Sequence, residues 1–359
     1  MEEGAWDRVI FSIIIPVHNA KKYIREAVDS ALAQRVDGNI DIEVILAENG
    51  SDDGSAEICD EYAQKNGDSR VRVKAIHIGK ASAYEARQEG VKISRGDWIV
   101  FMDADDKISP ELITGINAEI ARLHDDRKVL DAILYNAAEL QTPDRKMFNF
   151  PFRENYIYGP EEREDFHRLM CSGDSLNAMW NKCLKRDLAQ EACMDGKRSL
   201  NFGEDLLQSA AIIDKAKGIA YLDRIMYLYR INEEGLTGSY HEEFLDNQAK
   251  AWAAFDDYAV SWCGAKYSGV ITKRKTLTCS IGMKRLIYSS LTVREIKEKL
   301  RIMMGNEFYK QYAGGELPDW APEEDVFVHG LQTADNPAKK LMNSCRKYKL
   351  KSYIKERIR

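Results

Sequence analysis

The sequence predicts an α/β fold, a sheet with helices on its faces, followed by an all-helical extension. Three observations predict it. Strand-like and helix-like patterns alternate through the first hundred residues, apolar runs end abruptly in polar turn-forming clusters, and helical periodicity takes over near Tyr240.

Taken in order, residues 9–17 read as a first strand. Residues 21–34 put Ile24, Ala27, Val28, Ala31 and Leu32 at helical spacing, and a second strand runs through 42–47 until Asn49, Gly50 and Ser51 break it. A helix over 55–65 leads to the alternating strand 71–76, and 81–93 is helical again. Trp98-Ile99-Val100-Phe101-Met102 is a short apolar run suited to a strand buried on both faces, and it stops at Asp103-Ala104-Asp105-Asp106. A helix over 110–123 follows, with Ser109 as its cap and Pro110 at its first position, then a strand over 130–135. The aromatic-rich stretch 141–160 has no regular period and is expected to form loops or a hairpin over a cleft, with a helix starting near Pro160. Beyond Tyr240, Trp252, Phe255, Tyr258 and Val260 keep a helical period, and Thr292 with Glu295 forms a capping-box pattern. The expected domains are therefore 1–240, α/β, and 241–359, helical.

Composition narrows the function. With 359 residues and 44% of them hydrophobic, the chain can bury a sizeable core. A net charge of −6 argues against nucleic acid as the main partner, which calls for a basic footprint. The seven cysteines show neither a C-x-x-C pair nor metal-ligand spacing and read as buried thiols of a reducing compartment. The early apolar run follows an acidic start and contains Pro16, unlike a signal peptide, and no other run approaches bilayer-spanning length. These features predict a cytoplasmic protein, soluble or peripheral.

The chemistry concentrates where strands end, because open α/β sheets place ligands beyond the carboxyl ends of their strands. Asp103 and Asp105 lie two apart in an extended tip, so both carboxylates can face one hard cation such as Mg²⁺ or Mn²⁺, which in turn clamps a diphosphate. D-x-D by itself is common as a solvated turn; the buried strand before it gives it weight. Residues 47–55 also follow a strand. Their acidic and amide side chains, Glu48 and Asn49 among them, suit a nucleobase edge, and Gly50 permits a tight turn. Pro16-Val17-His18-Asn19 closes the first strand at the same rim, with His18 read as a capping or stacking group.

In this order, the segments 12–19, 48–55, 86–90 and 96–106 resemble the family 2 glycosyltransferases, whose GT-A fold carries the same succession. The resemblance covers roughly the first two thirds of the chain. It implies that Pro16, Val17 and Glu48 line uracil or another base with Asn19 and Asn49 beside them. It further implies that Arg87 approaches the nucleotide, that Asp103 contacts ribose next to Ala104, and that Asp105 holds a divalent metal, Mn²⁺ or Mg²⁺. The chain departs from the pattern at Glu48, where the family more often has Asp, and at Gln88, where it more often has Asn.

Asn201-Phe202-Gly203-Glu204-Asp205-Leu206 resembles the family's E-D motif at the start of a helix beside the acceptor. This implies Asp205 as general base with Glu204 next to it, since an acceptor hydroxyl is a poor nucleophile until a carboxylate takes its proton. Trp180-Asn181-Lys182 resembles an acceptor-side feature, the Trp180 indole stacking on a sugar and Lys182 holding an anion. Residues 227–232 resemble the segment that closes the catalytic domain. Related proteins often carry a histidine where Asn232 stands, and His241 is a nearby candidate for that role.

The implied activity is inverting transfer of a sugar from a nucleotide diphosphate sugar, UDP-sugar foremost, to a glycan or lipid-linked acceptor hydroxyl, as in bacterial polysaccharide or glycoconjugate synthesis. Two rivals are a catalytically silent GT-A domain that binds nucleotide or glycan, and a sugar nucleotidyltransferase. The latter calls for a glycine-rich phosphate loop, which residues 16–22 lack; a dinucleotide-dependent oxidoreductase fails for want of G-x-G-x-x-G after the first strand. Residues 339–359 form a basic amphipathic pattern suited either to anionic lipid or to a solvated terminal helix.

Overall fold

Apolar runs that demand burial on both faces form the centre of the sheet. In the computed structural model, which describes residues 8–36, 38–65, 70–124, 128–193, 200–232 and 239–358, β1 (Val9–Val17) pairs in parallel with both β2 (Ile40–Glu48) and β4 (Trp98–Phe101). Almost all of their side chains are enclosed. The crossovers are helical: α1 (Ile24–Leu32) joins β1 to β2, and α2 (Ser55–Lys65) joins β2 to β3 (Val71–His77). α3 (Ala83–Ile93) then leads to β4 on the other side of β1. β3 is an edge strand whose Arg72 and Lys74 stay exposed, a charged edge that discourages further pairing.

After β4 come β5 (Lys107–Ile108), α4 (Leu112–Arg122), β6 (Ala132–Glu139), β7 (Ile157–Tyr158), α5 (Glu164–Ser172), β8 (Lys182–Lys185), α6 (Arg186–Cys193), α7 (Glu204–Lys215) and β9 (Ile219–Tyr229). Among the described residues the sheet runs β3-β2-β1-β4-β8-β6-β9-β5, with β7 on β9. β8 is antiparallel to β4 and β6, whereas β6 and β9 run parallel. The order switches between β1 and β4, and the crevice beyond their carboxyl ends is where such sheets bind ligands.

Tertiary contacts shift several boundaries. The helix expected over 110–123 is regular from Leu112 to Arg122, and Ser109 closes its start as expected, its Oγ accepting the Glu111 N–H and its carbonyl the Leu112 N–H. Gln34, just after α1, adds to this: its Oε1 accepts from Ile113 N–H, and its amide donates to the Ser109 carbonyl. The strand expected over 130–135 starts at Ala132 and runs on to Glu139, because β9 pairs with its whole length across a bulge near Asn136. Within 141–160 the aromatic spacing reflects packing: Phe148, Phe150 and Phe152 stack in succession, and Phe152 lies on Phe166 with ring centroids 4.0 Å apart.

α3 is set by two local devices. Ser82 and Glu85 form a capping box, and Gly90 lies so close to β1 that a Cβ there would come within 2.4 Å of Ile14 Cγ2. Arg87, between these two anchors, is therefore fixed in height and rotation above the sheet.

The chain divides into two compact units, residues 1–170 with 174–231, and residues 171–173 with 232–359. In the second, α9 (Ser268–Ile287) packs with α8 (Phe244–Cys263), α10 (Val293–Gly305), α11 (Glu307–Tyr312), α12 (Glu323–Gln332) and α13 (Pro337–Ile358). Polar groups of α9 are tied to neighbouring helices: Thr278 Oγ1 accepts from Trp252 Nε1, Ser280 donates to Gln332, and Lys284 pairs with Asp325. The capping box of Thr292 and Glu295 starts α10. No helix among the described residues is long and apolar enough to cross a membrane. The side chains of Cys193 and of 352–359, which include Tyr353, Ile354, Lys355 and Arg357 of the basic tail, lie outside the described residues.

Candidate active site

Two loops at the carboxyl ends of β1 and β2 are laced into one rim. Asn19, in the left-handed region at φ 49°, accepts the Asp52 N–H on its side-chain oxygen and donates its own N–H to Ser51 Oγ. Asp53 receives the N–H groups of Lys21 and Ser55 on its two oxygens, and Ser55 Oγ receives that of Ala20. The polar residues of 49–55 thus build the rim first. Gly50, at φ 81°, lies where a Cβ would come within 2.9 Å of the Lys80 backbone, so glycine is required.

Glu48, at the tip of β2, is 4% exposed and yet ionised in character. Burial alone would raise its pKa, but the Ser51 N–H on Oε1 and the His77 ring on Oε2 outweigh that and hold it below the ordinary value. Asn49 is also buried; its amide donates to the Ala81 carbonyl, and its Oδ1 has no hydrogen-bond partner among the described residues. The Val17 side chain is fully enclosed in the core, Pro16 is half-buried and Ala104 is buried.

The acidic segment after β4 meets the start of α7 through one arginine. The Arg87 guanidinium, 4% exposed, donates through Nη1 to Asp205 Oδ1 at 2.7 Å and through Nη2 to Asp103 Oδ1 at 3.3 Å. Burial opposes its charge, but Asp205, Asp103 and Glu204 outweigh burial and raise its pKa above the ordinary arginine value. One cation does not balance the cluster. Burial, followed by Asp205 and Asp105, pushes the Asp103 carboxyl upward against the pull of Arg87, and burial with Asp205 does the same to Glu204.

Three residues of the matched segments to which the resemblance assigned no role support this loop. Tyr227 of β9 accepts the Asp103 N–H and donates to Asp106 Oδ2 at 2.7 Å. Asp106 is 1% exposed; burial and then Asp103 raise its pKa, while the Arg230 N–H at 2.6 Å and the Tyr227 hydroxyl pull against that shift. Arg230 also donates through Nε to the Asp105 carbonyl and through Nη2 to Glu26. Asp103 and Asp105 are thus carried on a loop whose third acid, Asp106, is turned inward as an anchor.

The acceptor-side expectation needs correction. Trp180 is 8% exposed and stacks on Tyr227 at 4.6 Å within the main hydrophobic cluster, so its face is taken by protein. Lys182 is fully buried, its ammonium donating to the Leu176 and Ala178 carbonyls and to Asn181 Oδ1. Carbonyl oxygens enclose the charge, which leaves it no approach for an anion. His18 is exposed, with Nδ1 3.1 Å from the Asn49 carbonyl. Asn232 and His241 belong to the helical unit.

A parallel core flanked by antiparallel strands, with an acidic loop and a polar rim at its switch point, places the chain in the GT-A fold class. Among solved folds the chain is similar to residues 1–349 of S. aureus TarS in complex with UDP-GlcNAc, with a TM-score of 0.57 at 16% identity over 95% of this chain and 92% of that one. The family described as "Glycosyl transferase family 2" matches residues 12–182. Glycosyltransferase GlyG of Streptococcus pneumoniae serotype 4 is 32% identical over 227 residues, 62% of this chain and 70% of that protein. The uncharacterised glycosyltransferase EpsJ of Bacillus subtilis is 27% identical over 308 residues, 84% of this chain and 85% of its own. The chain belongs to glycosyl transferase family 2, and it is a glycosyltransferase that uses nucleotide sugars.

Proposed function

We propose that the chain moves a sugar from a UDP-sugar to a hydroxyl of a glycan or lipid-linked acceptor, with inversion at the anomeric carbon. The observation that carries this reading is the Arg87 bridge, which brings Asp205 of the E-D motif to the acidic loop after β4. Asp205 Oδ1 is held by Arg87, and Oδ2 has no hydrogen bond among the described residues, so one oxygen is left to receive a proton. In a single displacement the acceptor oxygen attacks opposite the departing diphosphate while Asp205 takes its proton. Glu48 and the rim around Asn49 receive the base, with Asp103 on the ribose side. The UDP-GlcNAc held by TarS supports uridine as the base.

A divalent cation fits this donor set. Among the described residues no group of three or more His, Cys, Asp or Glu forms a ready-made cage. Mg²⁺ and similar ions, however, are commonly held by one or two carboxylates together with substrate phosphates. Burial first, and then the neighbouring acids, raise Asp103 and Glu204 despite Arg87, and a cation beside Asp103 and Asp105 would offset the repulsion among these carboxylates. Asp105 would hold the ion, with Asp103 beside it. When bound, it would supply electrostatic stabilisation of the diphosphate leaving group.

The test is calorimetric titration with UDP, GDP and CDP, each with Mn²⁺ and with chelator, on the wild type and on Asp105→Ala. We expect UDP to bind selectively and in a metal-dependent way, and Asp105→Ala to lose that binding. A wild type that binds none of the three would shift the reading to a silent glycan-binding GT-A domain.

Helix α13 supports work at an anionic membrane surface. From Asn336 to Lys355 the sequence has no acid. Lys339, Lys340, Arg346, Lys347 and Lys351 are exposed at helical spacing with Leu350, 60% exposed, while Leu341, Met342 and Cys345 turn inward. Each such cation contributes about 1 kcal/mol near an anionic surface, and Leu350 adds an apolar group that can enter it. The protein should float with phosphatidylglycerol vesicles and not with phosphatidylcholine alone. Replacing Arg346 and Lys347 by Glu should abolish flotation; equal flotation with both lipids would refute the surface.

A further inference from the structure

The Glu48 carboxylate on the nucleotide rim is tied twice, and its second tie is a residue with no part in the scheme so far. His77, at the end of edge strand β3, places Nδ1 3.0 Å from Glu48 Oε2 and Nε2 3.0 Å from Asp60 Oδ1 of α2. A neutral imidazole has one N–H and one lone pair, so it can satisfy one of two flanking carboxylates while presenting a lone pair to the other. The imidazolium satisfies both. The extra methylene of Glu48, relative to the aspartate more usual at this position, carries the carboxylate out to where it meets both the Ser51 N–H and this ring.

We propose that His77 is a positioning residue of the nucleotide site: by bridging Glu48 to Asp60 it fixes the carboxylate that receives the base, so that affinity for the base follows protonation of the ring. This rests on the reading in which Glu48 meets the base. A uracil N3–H donates to a carboxylate oxygen, and it does so best when that oxygen is ionised and held still. The Glu48 backbone is set by its strand partners Val17 and His77, and its carboxylate by the Ser51 N–H and the His77 ring.

The charged groups facing the ring are Glu48 from β2 and Asp60 from α2. The adjacent Cys59 thiol, raised to about 12 by burial, Glu48 and Asp60, stays neutral. Hydrogen bonds that the ring donates to Asp60 and then Glu48 raise the His77 pKa, against burial. The sign follows. The bridge is complete below the ordinary histidine value and is lost as pH rises through the raised one. Linkage then requires the converse: a bound base must raise the His77 pKa further.

The experiment compares UDP with pyrophosphate, both with Mg²⁺, by calorimetry between about pH 6 and about pH 8.5, a range that brackets histidine titration. Wild type, His77→Asn and Asp60→Asn are measured, with the His77 ring followed by ¹⁵N NMR. Pyrophosphate lacks the base and reports the phosphate and metal contacts alone. We expect the UDP affinity of the wild type, relative to pyrophosphate, to fall about three- to tenfold across the range, the worth of about one hydrogen bond. His77→Asn should be weaker at low pH and flat. In Asp60→Asn the midpoint should move to lower pH, a shift that a purely structural role would not produce. Identical slopes in wild type and His77→Asn, or a His77 titration unmoved by UDP, would overturn the proposal. A wild type that binds UDP no better than pyrophosphate would instead remove the base site itself, and His77's role with it.

Discussion

Asp205→Asn should lower kcat by about 10²- to 10⁴-fold while leaving nucleotide-sugar affinity within a few-fold, the range typical of a lost general base. Asparagine keeps the carbonyl oxygen that accepts from Arg87 Nη1, so the bridge to Asp103 and the start of α7 should survive. It cannot take a proton. Since one factor of ten corresponds to about 1.4 kcal/mol, the loss amounts to about 3–5 kcal/mol of transition-state stabilisation, more than any single hydrogen bond to the donor would supply. Rapid-quench turnover with excess donor, together with donor binding by calorimetry, separates the two effects. A parallel loss of affinity and rate would mean that Asp205 holds the donor. Undiminished kcat would move the base elsewhere, with Glu204 the adjacent candidate.

How much of this could be read from the sequence depends on the distance over which each feature is determined. β1 and β4 were legible because burial on both faces writes itself as an unbroken apolar run, and the acidic loop was legible because it interrupts one. The start of α4 was legible in part: Ser109 accepts the Glu111 N–H, but the Ile113 N–H goes to Gln34, a side chain far away in the chain. The same holds within the site. Asp103, Asp105 and Asp205 stood out as motif residues, but Asp106 turns inward to Tyr227 and Arg230, partners far away in the chain. Trp180 and Lys182 show the converse error: their types suit sugar and anion, and periodicity could not reveal that a stacked tyrosine and a ring of carbonyls already occupy them. His77 gave no signal at all, because its two carboxylates come from β2 and α2.

Arg87→Met should damage stability and catalysis together, for one electrostatic reason. The guanidinium is 4% exposed and is the group that pairs with both Asp103 and Asp205, whose side chains are 33% and 34% exposed. Removing one partner from a buried pair costs about 3–5 kcal/mol, and solvent reaching these carboxylates should reduce that to roughly 2–4 kcal/mol. Methionine fills much of the volume, so the loss reports charge more than packing. Arg87→Lys should not restore the wild-type value, because a single ammonium cannot span two carboxylates as the planar fork does. The decisive measurement is a denaturation cycle on Arg87→Met, Asp205→Asn and the double variant. If the cost lies in an unpaired carboxylate, the double variant should be more stable than Arg87→Met alone, with a coupling of at least about 1 kcal/mol. Additive losses would mean instead that Arg87 acts by packing α3 against the sheet, and that the link between the donor loop and the E-D motif is carried by other groups.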